Sequence, residues 1–389
     1  MIAGIPRETY PGERRVAVIP AVLPALAKLG IEVLLEKDAG LAAGFPDEGY
    51  VEKGARIAPT REDVFSAAEA ILQVRSLASS PTAPPPKLDL LRRGQIVVGF
   101  LDPIGAPQGI RAVAERGATA FALDLIPRIT RAQAMDALSS MATIIGYKAV
   151  LLAADTTPRM FPMLMTAGGT LAPARVFVIG AGVAGLQAIA TARRLGAVVE
   201  AYDVRPAVKE QIESLGAKFV ELPIETGDAQ DKGGYAKAMD EDFYRRQRDT
   251  MARAVAGADV VITTAAIPGK KAPVLITSEM VTGMRPGSVI VDVAAEQGGN
   301  CELTQPGETV VREGVTVLGP VNMASSVPTH ASQMHARNTA NFLALVVKAG
   351  KLTVDMSDEI VAGTLVARDG EVVSPRLREA LGLPSLAPA

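Results

Sequence analysis

Residues 174–205 read ARVFVIGAGVAGLQAIATARRLGAVVEAYDVR, and this stretch decides the fold. Residues 175–179 are an apolar, β-branched run of strand length. The run ends in Gly180-Ala181-Gly182-Val183-Ala184-Gly185, a G-x-G-x-x-G. A helical pattern follows (Leu186, Ile189, Ala190, Arg193, Leu195) and is closed by Gly196; a second strand over 198–202 ends in Asp203. Each part has a task in holding a dinucleotide. Gly180 permits the tight strand-to-helix turn, Gly182 has no Cβ to block a pyrophosphate, and Gly185 lets helix and sheet pack closely. The helix N-terminus offers free N–H groups and positive dipole to phosphates. Asp203 lies 18 residues past Gly185, where a carboxylate takes ribose hydroxyls and repels a 2′-phosphate. Arg205 points both ways, because a nearby arginine can receive a 2′-phosphate; Asp203 decides for NAD over NADP. The plainer reading is a glycine-tight βαβ unit without a ligand. Against it, strand, turn, helix, strand and acid fall in the order the motif requires.

Composition sets the frame around this unit. A chain of 389 residues is long enough for two domains of ordinary size. With 48% hydrophobic residues and 36 glycines, a well-buried α/β protein is expected, and a net charge of −2 gives no electrostatic reason to expect nucleic acid or an anionic membrane. Cys301, the one cysteine, excludes internal disulfides and a multi-cysteine zinc site. The opening MIAGIPRETY lacks the layout of a signal peptide. No apolar run reaches the roughly 18 residues that span a bilayer, the best candidate at 141–154 being interrupted by Tyr147 and Lys148, so a soluble chain is expected. The two histidines, His330 and His335, would sit about 140° apart around a helix and make no metal pair; no metal site is expected.

Taken in order, residues 2–125 alternate strands (2–5, 32–35, 70–74, 95–100, 119–123) with helical patterns (20–29, 61–68, 108–115), which implies a mostly parallel sheet. No glycine fingerprint follows these strands, so this domain is not expected to hold dinucleotide phosphates. A long helix is expected from Thr130, read as its N-cap, to about 155, and a second over 327–350. Further strands are expected at 217–220, 259–263, 288–292 and 316–318. The fold class is therefore α/β: two Rossmann-like domains with mostly parallel sheets, linked by two long helices. The first domain comprises 1–129 plus 327–389 and is discontinuous; 130–165 links it to a dinucleotide-binding domain at 166–326. Residues 221–243 are polar and contain Gly227, Gly233 and Gly234. So long a loop is unusual inside a compact α/β fold; it reads as a lid, with Tyr235 closing over a nucleotide, or as a floppy insertion.

With these residues in view, the sequence resembles the NAD(H)-binding domain of the proton-translocating NAD(P) transhydrogenase family, in the form where that domain is a separate alpha chain. The resemblance covers nearly the whole chain. Its marks are GIPRETYPGERRVA (4–17), PRITRAQAMDALSS (127–140), AGGTLAPARVFVIGAGVAGLQAIATARRLGAVVEAYDVR (167–205), GGYAKAMDEDF (233–243) and DVAAEQGGNCE (292–302). The resemblance implies that the chain holds NAD(H) and exchanges hydride with NADP(H) bound by a partner domain. A membrane domain would couple the exchange to proton translocation. It further implies a homodimer, in the cytoplasm and peripheral on the inner membrane through its membrane-bound partner. Arg128, Gln133, Asp136 and Ser139 would surround the nicotinamide and its ribose, with Gln133 facing the NADP(H) opposite. On the residues alone, Arg128 and Asp136 are a helix-start charge pattern and Gln133 an exposed helix residue. Gly234 and Tyr235 become parts of a mobile loop closing on NAD(H). Asp203, Val204 and Arg205 would take the adenosine ribose side, and Ala265, Ala266 and Pro268 would line the nucleotide at a strand end.

Alanine dehydrogenase, a relative of similar fold, is the alternative, and a binding-only NAD sensor is a third. Alanine dehydrogenase needs a histidine after the strand ending near Phe100. Here GFLDPIG carries Asp102, and both histidines are far away in sequence. Its substrate-binding lysine falls at about Arg75, its acid in the AxDQGG segment is replaced by Glu296, and only Arg15 survives. A pocket without histidine lacks the obvious general acid/base for amino-acid oxidation. Retention of PRITRAQAMD argues against the sensor. Glu13, Arg14 and Arg15 are expected to pair with other charges at a domain edge, and Cys301 to be a packing residue.

Overall fold

A computed structural model of the chain describes residues 1–76, 79, 88–221, 241–266 and 270–386. The chain divides into two compact units, residues 1–141 with 325–389, and residues 142–324. It passes from the first unit to the second within the helix Ala137–Thr156 and returns within the 3-10 turn Met323–Ser326. The helix Pro328–Val346 follows that turn and belongs to the first unit.

The strands, in chain order, are β1 (Ile2–Ile5), β2 (Glu32–Glu36), β3 (Arg56–Ala58), β4 (Ala70–Arg75), β5 (Ile96–Phe100) and β6 (Thr119–Ala122) in the first unit. The second unit holds β7 (Leu164–Thr166), β8 (Gly169–Leu171), β9 (Arg175–Ile179), β10 (Val198–Tyr202), β11 (Lys218–Phe219), β12 (Val260–Thr263), β13 (Val289–Asp292), β14 (Thr309–Arg312) and β15 (Val315–Leu318). Back in the first unit come β16 (Val347–Lys348), β17 (Lys351–Leu352), β18 (Leu365–Arg368) and β19 (Glu371–Val372).

In the first unit the sheet runs β19-β18-β6-β5-β4-β1-β2-β3; β1 to β6 are parallel and the last two strands antiparallel. Gly4 in β1 shows how closely the helix Arg61–Ala67 lies on it, since a Cβ there would come 2.7 Å from both Ala68 and Val64. Thr60 starts that helix by accepting from the Asp63 N–H at 3.1 Å. On the other side Phe342 meets Phe121 edge-on, ring centroids 5.4 Å apart, which seats the helix Pro328–Val346 on the sheet.

The second unit's sheet runs β11-β10-β9-β12-β13-β15-β14, all parallel except β14. The first strand of each sheet thus has the second on one side and the fourth on the other. Strand order reverses at β1/β4 and at β9/β12, and in open α/β sheets ligands bind beyond the carboxyl ends of the strands at such a reversal. Central strands β9, β12 and β13 are nearly continuous apolar runs because helices cover both faces of the sheet.

Several elements depart from the sequence reading. Residues 130–135 form a 3-10 turn, Thr130–Met135, with Ile129 at its N-cap; the α-helix begins at Ala137. Asp136 is what starts it, its Oδ1 accepting from the Ser139 N–H at 2.8 Å. The helix expected to reach 350 stops at Val346. There the chain turns into the β16–β17 hairpin through Ala349 (φ 48°) and Gly350 (φ 71°). Two more hairpins, β14–β15 and β18–β19, turn at Glu313–Gly314 and Asp369–Gly370, again with positive φ at both residues, the geometry of two-residue hairpin loops. The helix Ala137–Thr156 is also long and apolar enough, by length and composition, to cross a membrane. Its Ala149, Val150 and Ala153 are instead fully buried in the core of the second unit.

Candidate functional site

β9 runs into Gly180, whose φ of 95° belongs to the left-handed region that glycine adopts without strain. Gly185 sits one helical turn on, where a Cβ would collide with the Gly180 carbonyl oxygen. Gly182, the N-cap of the helix Val183–Arg194, is different. Its φ is −76°, open to any residue, and a Cβ there would meet nothing within 4 Å. Neither backbone strain nor crowding among the described residues calls for glycine, so the surface over Gly182 suits a group approaching from outside. Val183 opens the first turn, whose N–H groups have no intrahelical partners.

Two walls flank this turn. At the end of β12, Thr264 donates its hydroxyl to the Gly180 carbonyl at 2.9 Å, which ties the loop carrying Ala265 and Ala266 to the glycine turn. Buried Asn300 fixes the same loop: it accepts from the Ala265 N–H at 3.0 Å and donates to the Ala265 and Pro273 carbonyls, both at 2.8 Å. Asn300 is held in turn by fully buried Asp292, which accepts from the Asn300 and Cys301 N–H groups and from the Thr263 and Thr304 hydroxyls. Burial pushes the Cys301 thiol up to about 11, so it packs and does not act as a nucleophile.

At the end of β10, Asp203 is buried and fully engaged. Its Oδ2 accepts from the Ala181 N–H at 2.7 Å and from Arg205 Nη2 at 2.8 Å. Its Oδ1 accepts from the Arg205 N–H at 2.8 Å and from Arg205 Nε at 2.9 Å. Val204, partly buried, lies between them. Glycine turn, Asp203, Arg205 and Ala265 are thus brought together in the second unit; Gly234, Tyr235 and Pro268 lie outside the described residues. From the helix Ala137–Thr156, Gly146 packs so closely on Ala184 that a Cβ would strike the Ala184 carbonyl oxygen, fixing the first turn from behind.

Arg128, Gln133, Asp136 and Ser139 belong to the first unit. Arg128 and Gln133 are exposed, whereas Asp136 and Ser139 are partly buried and joined by the cap described above. The turn bearing Gln133 is anchored on two sides. Asn338 and Asn341 each donate to the Ala134 carbonyl at 2.9 Å, and Arg131 grips Asp358 with two bonds of 2.8 and 2.9 Å. Arg131 holds the Asp358 carboxyl down, to about 2.

The reversal point of the first sheet carries charge in place of glycine. Arg15, buried, donates Nε and Nη2 to Glu13 at 2.7 and 2.6 Å, the charge pairing expected of these residues. Arg75 Nε lies 3.7 Å from the same carboxylate and its guanidinium stacks 4.0 Å over the Tyr10 ring. Glu8 accepts from the Val74 and Arg75 N–H groups at 2.6 and 3.2 Å; burial, then the charge of Glu13, raise its carboxyl to about 8. Partly buried Asp124, whose Oδ2 accepts from the Leu101 N–H at 2.7 Å, is raised to about 7, chiefly by desolvation. His335 is fully buried, 5.2 Å from the Phe100 ring, and held near 3 by burial and then by Arg15. His330 is exposed.

Family models settle the kinship. Alanine dehydrogenase/PNT, N-terminal domain, matches residues 4–145, and Alanine dehydrogenase/PNT, C-terminal domain, matches residues 149–375. The chain belongs to the alanine dehydrogenase/PNT family. An NAD(P) transhydrogenase subunit alpha chain of Rhodospirillum rubrum is 47% identical over 380 residues, 97% of this chain and 99% of that one. Among solved structures, transhydrogenase from Sinorhizobium meliloti matches with a TM-score of 0.84 at 44% identity, covering 96% of this chain and 100% of that one. An L-alanine dehydrogenase matches at 0.80 with 27% identity, over 98% and 99%. Within the alanine dehydrogenase/PNT family, the resemblance to the transhydrogenase alpha chain therefore holds over nearly the full length.

The histidine count looks different in three dimensions. This family member has no histidine in the loop after β5, where Asp102 is exposed and accepts from the Gly105 N–H at 3.1 Å. His335 nevertheless reaches that strand end from the helix Pro328–Val346. Fully buried and held far below its ordinary range, it remains neutral near pH 7 and is not a ready proton donor. Sequence reasoning also passed over Thr264, Asn300 and Gly146. Asn300 lay inside the segment DVAAEQGGNCE, but only the fold shows its side chain turned to the Ala265 loop.

Proposed function

We propose that this chain is the NAD(H)-binding component of a transhydrogenase, exchanging hydride with NADP(H) carried by a partner domain. The observation that carries the NAD(H) reading is Gly182, a glycine that neither strain nor crowding among the described residues requires, at the N-terminus of a helix on the strand-order reversal. Gly180, Gly182, Val183 and Gly185 shape the pyrophosphate cradle. Asp203, Val204 and Arg205 frame the adenosine ribose, and Ala265 and Ala266 line the opposite wall; Gly234, Tyr235 and Pro268 are assigned to the same site. NAD(H), when bound, supplies the nicotinamide carbon that gives or takes the hydride. Arg128, Gln133, Asp136 and Ser139 orient that ring and exclude water, and the anchored turn of Gln133 suits this positioning work. The relatives' designation as subunit alpha supports partner subunits; an NADP(H)-binding partner domain and, through a membrane partner, coupling to proton translocation on the inner membrane complete the proposal. Residues 1–129 with 327–389, the link 130–165 and the domain 166–326 are the proposed working parts.

The deciding assay mixes the purified chain with a purified NADP(H)-binding transhydrogenase domain and follows reduction of an acetylpyridine analogue of NAD by NADH in the presence of NADP(H). Transfer that needs the second domain, and falls at least about tenfold in Gln133→Asn, a loss of roughly 1.4 kcal/mol of positioning, is the expected result. Because His335 lies near the first unit's reversal point, L-alanine with NAD runs in parallel. Turnover of alanine without any partner would replace this reading with a dehydrogenase, and NADH binding with neither activity would leave a sensor.

A further inference from the structure

Asp203 accepts four hydrogen bonds, and a carboxylate presents about four lone-pair sites, so it has none left for a nucleotide. Two of the four donors are backbone, the N–H groups of Ala181 and Arg205, and they hold the carboxylate in place. The other two are Nε and Nη2 of Arg205, side by side, one to each oxygen. A ribose diol presents the same pattern, two adjacent donors facing two oxygens. Fork and diol compete for one seat.

On the NAD(H) reading of this site, we propose that Arg205 is a specificity-determining residue, an internal stand-in for the ribose diol that the incoming nucleotide must displace. The motion is confined to the side chain. Pro206 follows directly, which favours extended backbone at Arg205 (φ −86°, ψ 114°), so the Arg205 N–H stays on Asp203 as the guanidinium swings away. Breaking a two-pronged ion pair with side chains only 12% and 6% exposed subtracts from nucleotide affinity. The pair also sets the choice of nucleotide. While clasped, the guanidinium has spent its fork on Asp203; a 2′-phosphate that freed it would face the bared carboxylate. NADP(H) is thus refused by the pair acting together. With Asp203 neutral, the same arginine becomes a phosphate receptor.

Titrations that follow the fluorescence of NADH and NADPH test this on the whole chain, with thermal unfolding as the folding check. Arg205→Met is expected to bind NADH roughly 3- to 10-fold more tightly than the parent, the scale of one or two hydrogen bonds no longer broken on binding, and still to refuse NADPH. Arg205→Gln, which cannot place two donors on both oxygens, shifts affinity in the same direction and serves if the methionine variant folds poorly. Asp203→Asn is expected to admit NADPH, and Asp203→Asn with Arg205→Met to lose it again. Equal or weaker NADH binding in both Arg205 variants would show that the arginine grips the nucleotide, which overturns the proposal and leaves the NAD(H) site standing. A parent chain that binds no NADH overturns both.

Discussion

Gly182 and Gly185 carry the same letter for opposite reasons, and this separates stability from binding. Gly185→Ala forces a Cβ onto the Gly180 carbonyl, and overpacking of this kind typically costs about 1–3 kcal/mol. Gly182→Ala meets nothing, so stability should change by less than about 1 kcal/mol, the ordinary scale of an N-cap exchange. NADH affinity should nevertheless fall at least about tenfold through a clash with the pyrophosphate. Urea unfolding beside NADH titration checks both, and a Gly182→Ala chain with parental affinity would rule out the cradle. Glu8 gives a pH signature. Its carboxyl is raised from 4.5 to about 8, so the folded chain holds a proton that the unfolded chain has released. Its contribution to stability is complete below pH 4.5 and is lost as pH climbs toward 8. The urea midpoint of Glu8→Gln should fall less steeply than that of the parent between about pH 5.5 and 8; parallel curves would contradict the assignment. The glycine turn was legible in sequence because it is local and its parts fall in fixed order. Asp203 was legible too, but not its arginine clasp, since sequence says nothing of where a long side chain folds back.

At the scale of elements, strands of apolar, β-branched residues were readable, and helix ends and hairpins were not. Thr130 looked like a cap, yet Asp136 is the residue that satisfies the first turn of Ala137–Thr156. The hairpins β14–β15 and β16–β17 turn at Glu-Gly and Ala-Gly, where the glycine alone advertises the loop, while Asp369–Gly370 carries the stronger Asp-Gly signal. The hairpin β7–β8 was announced only by the pair Gly168-Gly169 and is the element with the clearest loose end. Met163, Met165 and Leu171, on or beside it, are 57%, 76% and 51% exposed, and among the described residues its two short strands pair only with each other. An isolated two-stranded ribbon is marginal in water, and a subunit contact in the homodimer that the family resemblance implies would cover it. Met165→Asp with Leu171→Asp should yield monomers in sedimentation velocity with NADH binding kept. An unchanged dimer would place the interface elsewhere.

For the molecule as a whole, repetition made the architecture legible. Alternation of strand and helix announced two parallel sheets, and both sheets reverse at their first strand. Chemistry at the two reversals differs, glycine and one acid in one unit, a buried ionic group in the other. That contrast was only half visible, because His335 joins Glu13 and Arg15 from more than 300 residues away. The turn of Gln133 has a similar dependence, being pinned by Asn338, Asn341 and Asp358. Residues 142–324 are one unbroken length, whereas the first unit needs both ends of the chain. On the ribosome the usual order, N-terminal domain first, is therefore inverted: the second unit has every residue it requires while the first still waits for its closing segment. A nascent chain that has emerged as far as about residue 330 would carry a complete second unit and an unfinished first one, and residues 325–389 then complete the turn that holds Gln133.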